Sequence, residues 1–162
     1  MLDDKGLPLD MPPDARCHLA AATAAWDDEG AAAAYVAAAV AAAPDALGVR
    51  IGAYKFYLYR HRLAEATAEA EVILGMAARR LQISPDWRGV MPGDADFPGA
   101  APWVRLYLQT LVALGYGLAR QGHAEDGVAA LEKALDLDPA DPFGAGRLLA
   151  VVRRGGIEDE ED

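Results

Sequence analysis

Apolar residues recur three and four positions apart in seven stretches of this chain, and a short polar, glycine or proline break follows nearly every one. The pattern is clearest from Leu118 to Pro139, LARQGHAEDGVAALEKALDLDP, where two helical runs fold back on each other around Gln121-Gly122-His123. Pro12-Pro13-Asp14 starts a helix to about Trp26, because proline is tolerated in a first helical turn, and Asp27-Asp28-Glu29-Gly30 ends it. Further helices are expected over Ala31–Ala43, Ala46–Arg60, Leu63–Leu81, Trp103–Arg120, Ala124–Leu137 and Pro142–Arg153. Almost no stretch alternates with the period of two that a half-buried strand needs, so the expected class is all-α. Ile83 to Trp103, ISPDWRGVMPGDADFPGAAPW, shows neither period, and its prolines, glycines and aspartates predict a long loop.

The helices repeat. The step from Leu118 to Gly127 recurs from Tyr57 to Ala66 and from Thr23 to Ala32, and the first two copies are offset by about 34 residues. The first copy holds Leu19, Ala20, Thr23, Ala32, Val36 and Pro44. The second holds Ala53, Tyr54, Tyr57, Ala66 and Ala70, with Ala78 where a proline would be, so its second helix continues. The third holds Leu111, Leu114, Gly115, Leu118, Gly127, Leu131 and Pro139, with Ala134 also small. These positions resemble the tetratricopeptide repeat, which sets a large residue, Leu-Gly and an aromatic on one helix and Ala, a large residue and Pro on the next. Gly127 departs from the usual alanine and is expected to loosen its helix slightly.

The resemblance covers about residues 13–154 and implies a right-handed α-solenoid of about three hairpins, 13–45, 46–82 and 103–140. A loop, 83–102, is inserted before the third hairpin, and a capping helix, 141–154, closes the array. A flexible segment, 1–12, precedes it, and an acidic disordered tail, 155–162, follows.

In this family the first helix of each hairpin lines a concave groove. The resemblance therefore implies that Ile51, Lys55, Leu58, Tyr59 and Arg62 share one stripe facing it, joined by Val112, Tyr116 and Arg120 and, at the far end, Arg154. The equivalent positions on the first helix are Cys17, Ala21 and Ala25. Such a groove is smooth at one end, then aromatic and basic. It suits a protein or peptide segment with apolar side chains and an acidic group, because Arg holds carboxylates through paired hydrogen bonds. The terminal-carboxylate clamp of some tetratricopeptide domains is not expected, since Cys17 and Ala21 occupy its region. Trp87, Met91, Phe97 and Trp103 are too many large apolar groups for a disordered loop. The loop is expected to fold back over the helices; were it instead part of the partner site, Trp87 and Phe97 would make the contacts.

A net charge of -10 disfavours nucleic acid and anionic membrane as partners. Within this acidic chain, Leu47 to Ala64 carries Arg50, Lys55, Arg60, His61 and Arg62 and no acid. A single cysteine, Cys17, excludes an internal disulfide and a Cys-based zinc site. With MLDDKGLPLDMPPD lacking a secretory pattern, the expected location is the cytoplasm. Ala31–Ala43 is short of the roughly 20 apolar residues of a membrane span. Abundant alanine, and arginine in excess of lysine, suit a GC-rich bacterial genome.

No cofactor or metal is expected. Cys17 and His18 are neighbours on a helix and point about 100° apart, His61 and His123 lie in turns, and Asp86, Asp94 and Asp96 lack calcium-loop spacing. No nucleophile elbow, phosphate loop or zinc-protease motif is present. The expected function is a non-catalytic scaffold or adaptor. A second reading is an assembly chaperone for a subunit of a larger enzyme or secreted complex. A third, of another class, is an enzyme or its regulatory subunit with a site under the loop around Asp86, Arg88, Asp94 and Asp96.

Overall fold

The local chemistry of each break decides where its helix begins and ends. The computed structural model describes residue 2 and residues 5–155, and among them the chain is helical with no strand. The helices are α1 (Pro13–Ala24), α2 (Glu29–Ala42), α3 (Leu47–Tyr59), α4 (Leu63–Leu81), α5 (Pro102–Arg120), α6 (Ala124–Leu137) and α7 (Ala145–Arg153). Two 3-10 turns, Trp87–Gly89 and Pro92–Asp94, interrupt the long loop. α2 begins ahead of Ala31 because the Asp28 carboxylate accepts a hydrogen bond from the Ala31 amide at 3.1 Å, a side-chain cap. α7 begins at Ala145 rather than Pro142. Gly144 turns into the left-handed region, and the Asp141 carboxylate accepts from the amides of Ala145 and Gly146 at 2.7 and 2.9 Å. The acidic tail from residue 156 lies outside the described residues.

Each helix packs on its chain neighbours, α1 also touches α3, and α5 touches α7. The α3–α4 and α5–α6 turns are built alike. In one, His61 has positive φ and the Arg62 amide donates to the Tyr57 carbonyl at 2.9 Å; in the other, Gly122 has positive φ and the His123 amide donates to Leu118 at 3.0 Å. Between α5 and α6 the backbones nearly touch: a Cβ on Gly127 would lie 2.5 Å from the Gly115 carbonyl oxygen.

The main core lies among α3 to α7 and fully buries Ile73, Leu106, Tyr107, Leu111, Leu114, Leu131 and Leu137. Each such side chain contributes roughly 1.5–3 kcal/mol. The α1–α2 hairpin is held differently, through Ala15, Ala22, Ala32, Ala39 and Ala43 with Val36. Its own buried side chains are small apart from Val36, and they pack on Val49, Ala53 and Phe56 of α3.

The long loop folds back onto this core. Val90 and Phe97 are fully buried, the Phe97 ring lies 6.0 Å from that of Tyr107, and Lys133 Nζ donates to the Val90 carbonyl at 2.8 Å. Arg88 pairs with Asp126 of α6 at 3.0 Å. The lead-in expected to be flexible also has defined contacts: Leu7 and Leu9 pack on the core, Gly6 lies against Pro102, and the Leu9 carbonyl and Met11 lie over Gly48.

Candidate functional site

Alternate helices α3, α5 and α7 line an open apolar cavity of about 350 Å³. On α5 one face supplies Gln109, Val112, Ala113, Tyr116, Gly117 and Arg120, residues spaced by three and four as one helical stripe requires. Tyr54 and Leu58 of α3, one turn apart, face them, and Leu63, Phe143, Leu148 and Leu2 complete the lining. The exposed Arg120 guanidinium stands 5.8 Å from the centroid of the Tyr116 ring. Both residues also border a second depression toward Val151 and Val152 of α7. An apolar floor with an arginine at its edge can seat an aliphatic or aromatic side chain and pair with a neighbouring carboxylate.

A separate cleft of about 210 Å³ lies between α1 and α3, lined by Leu19, Trp26, Lys55, Phe56 and Tyr59 among others. Trp26 and Tyr59 are both exposed at it. Here the Arg60 guanidinium lies 4.0 Å from the Trp26 ring centroid, and the Trp26 and Phe56 rings meet edge to face at 5.9 Å. Arg60 Nε and Nη2 are buried with no hydrogen-bond partner among the described residues, so the aromatic faces supply its electrostatic contacts.

The stripe expected on α3 is thus divided. Leu58 joins Val112, Tyr116 and Arg120 at the larger cavity, whereas Lys55 and Tyr59 face α1, because successive helical residues diverge by about 100°. Ile51 is only 3% exposed and belongs to the core. Arg62 turns onto Glu65, with Nε and Nη2 donating to one carboxylate oxygen at 3.0 and 2.8 Å. That hydrogen bond holds the Glu65 carboxyl below its ordinary pKa and raises Arg62. Arg154 is exposed just past α7 and lines neither space. Trp87 and Phe97 are not open to a partner: at 8% and 1% exposure they belong to the main core.

Tyr54, Gln109, Phe143 and Leu148 were missed. Tyr54, one turn before Leu58, could have been found from spacing; Leu2 carried no periodic signal. The basic run 47–64 is compensated in part from α4, since Arg50 Nη1 meets both Glu69 oxygens at 3.1 and 3.2 Å and Arg62 meets Glu65. In the loop, Asp86 and Asp94 accept hydrogen bonds from the amides of Arg88 and Met91. Among the described residues no group of three or more His, Cys, Asp or Glu could hold a metal, and no helix is long and apolar enough to cross a membrane.

The fold and cavity define an all-α protein of packed helices with an apolar groove between alternate ones. The chain belongs to the family of a protein of Azotobacter chroococcum mcd 1 described as an uncharacterized 19.8 kDa protein in the nifW 5′ region. The two are 33% identical over 132 residues, which span 80% of this chain and 74% of that relative. No family model matches the chain, and no solved structure matches it.

Proposed function

We propose that this protein is a non-catalytic adaptor or scaffold of tetratricopeptide type, working in the cytoplasm, that holds a segment of another protein in the groove between α3, α5 and α7. The observation that carries the reading is the lining of one apolar cavity by the first helices of successive hairpins, with Tyr116 and Arg120 together at its rim. The matching α3–α4 and α5–α6 turns and the close α5–α6 approach at Gly115 and Gly127 are what stacked hairpins of one repeat family require. In this reading the apolar floor supplies affinity and Arg120 supplies preference for an acidic neighbour.

Partner capture from the native host tests it, comparing the wild type with Tyr116→Ala and Arg120→Ala. Truncating two rim contacts is expected to weaken retention of a specific partner by about 2–4 kcal/mol in total, while helicity by circular dichroism stays unchanged. Lys55→Ala with Tyr59→Ala, in the other cleft, is the control. A partner retained by the groove variants and lost by the control would move the site to the α1–α3 cleft.

A further inference from the structure

The α3–α5–α7 groove already holds an aliphatic side chain. Leu2 is 3% exposed, belongs to the main core cluster and lines the cavity beside Tyr54, Leu58 and Val112. Residues 5–12 have neither helix nor strand. They cross from the start of α5, where Gly6 meets Pro102, to the first turn of α3, where the Leu9 carbonyl covers Gly48 so closely that a Cβ there would lie 2.5 Å away. About 350 Å³ of space remains in the cavity with Leu2 in place, so the groove is larger than its occupant.

We propose that this segment is a built-in competitor for the groove: Leu2 sits where an aliphatic side chain of the partner sits, and the partner binds by displacing it. The proposal rests on the peptide-binding reading above and gives the partner a chemistry. Leu2 is followed in the sequence by Asp3 and Asp4, and Leu9 by Asp10. Arg120 borders the cavity, and Arg105, whose guanidinium stands 5.2 Å from the ring centroid of the lining residue Phe143, lines a separate depression with Lys5 and Gly6. The partner segment that fits is therefore one with an aliphatic side chain, which takes the place of Leu2, beside a carboxylate, which pairs with Arg120 at the edge of the cavity. A tethered segment has an effective concentration of about millimolar, enough to mask a site from a free peptide of similar intrinsic affinity.

The probe is a fluorescein-labelled peptide with the sequence of residues 1–12, titrated by anisotropy into the full chain as wild type, Leu2→Asp and Leu2→Ala. Both variants are expected to bind it at least about tenfold more tightly than the wild type, because the competitor is weakened. A peptide carrying its own Leu2→Asp is expected to lose that binding, and adding Arg120→Ala to the variants is expected to reduce it. Equal affinity for wild type and variants, or no binding to variants that keep their helicity, would overturn the proposal. So would loss of the helical fold in both variants, which would make Leu2 a core residue and not a displaceable one. A partner that Tyr116→Ala and Arg120→Ala release, together with a peptide that binds no variant, would overturn the competitor alone and leave the groove standing.

Discussion

Gly127 faces Gly115 where α5 and α6 cross, and a Cβ there would also lie 2.9 Å from Ala119. An alanine at this position would force the two backbones apart. Gly127→Ala is therefore expected to destabilise by about 1–3 kcal/mol, although alanine improves helix propensity by up to about 1 kcal/mol. The urea midpoint should fall; an unchanged or higher midpoint would show that the approach is not close enough to matter. In the sequence Gly127 is only a glycine inside a helix, because the reason for it lies across the interface.

Tyr107 carries a buried hydroxyl with no hydrogen-bond partner among the described residues. Tyr107→Phe keeps the ring against Phe97 and removes that hydroxyl, so it is expected to be neutral or stabilising by up to about 2 kcal/mol. Burial, and secondarily the charge of Asp86, raise the Tyr107 pKa above its ordinary value of 10.0. With the folded value above the unfolded one, ionisation of this group leaves stability unchanged below pH 10 and lowers it progressively as the pH rises beyond that. The phenylalanine variant should lose less stability between about pH 9 and about pH 11 than the wild type. Tyr54 and Tyr57, whose pKa values burial also raises, contribute to the slope that remains. Identical slopes in urea unfolding at the two pH values would contradict the assignment.

At the scale of elements, α1 and α2 differ from the rest in what holds them. Alanine contacts and Val36 give the hairpin little apolar area, whereas α5 and α6 share Leu111, Leu114, Leu131 and Leu137 with the main core. Alanine keeps helix formation inexpensive in side-chain entropy, but local opening follows buried contacts. Amides of α1 and α2 are expected to exchange faster than those of α5 and α6 in native-state hydrogen exchange, and equal protection would contradict this. α4 is tied to α3 by Arg50 and Glu69, at 15% and 12% side-chain exposure, with Arg50 Nε also donating to the Pro44 carbonyl at 2.8 Å. Glu69→Ala strands that guanidinium and is expected to cost about 3 kcal/mol in thermal or urea unfolding; a cost near zero would show that water already satisfies it. The seven helices were legible because most carry an apolar period and a proline, glycine or aspartate stop; α1 and α2 are mostly alanine, and α3 stops at Arg60-His61, where His61 takes a positive φ. The start of α7 was not, since it depends on Asp141 reaching forward to two amides. The basic appearance of residues 47–64 misled for a related reason: the compensating Glu69 lies a whole helix away in sequence.

For the whole molecule, the fold class followed from periodicity, and the long loop's return to the core followed from the number of its large apolar residues. The groove was legible in part. Leu58, Val112, Tyr116 and Arg120 line one cavity, a grouping that the resemblance to tetratricopeptide repeats implied and that spacing within either helix alone does not give. Lys55 and Tyr59 do not line it, because the sequence cannot say which flank of α3 meets α1 and which meets α5. Leu2 and Phe143 lie outside the α3 and α5 stripes and reach the cavity only through the path of the chain around it.

Site-directed photo-crosslinking in the native host tests the central claim most directly, with a photoreactive side chain placed at Tyr116 and, in a second protein, at Glu71, which is exposed on α4 and outside the cavity lining. The expected result is one discrete adduct from position 116, mapping to a partner segment with an aliphatic residue beside carboxylates, and none from position 71. Adducts of equal yield from both positions, or none from position 116 in protein at native abundance, would contradict a partner-binding groove between α3, α5 and α7.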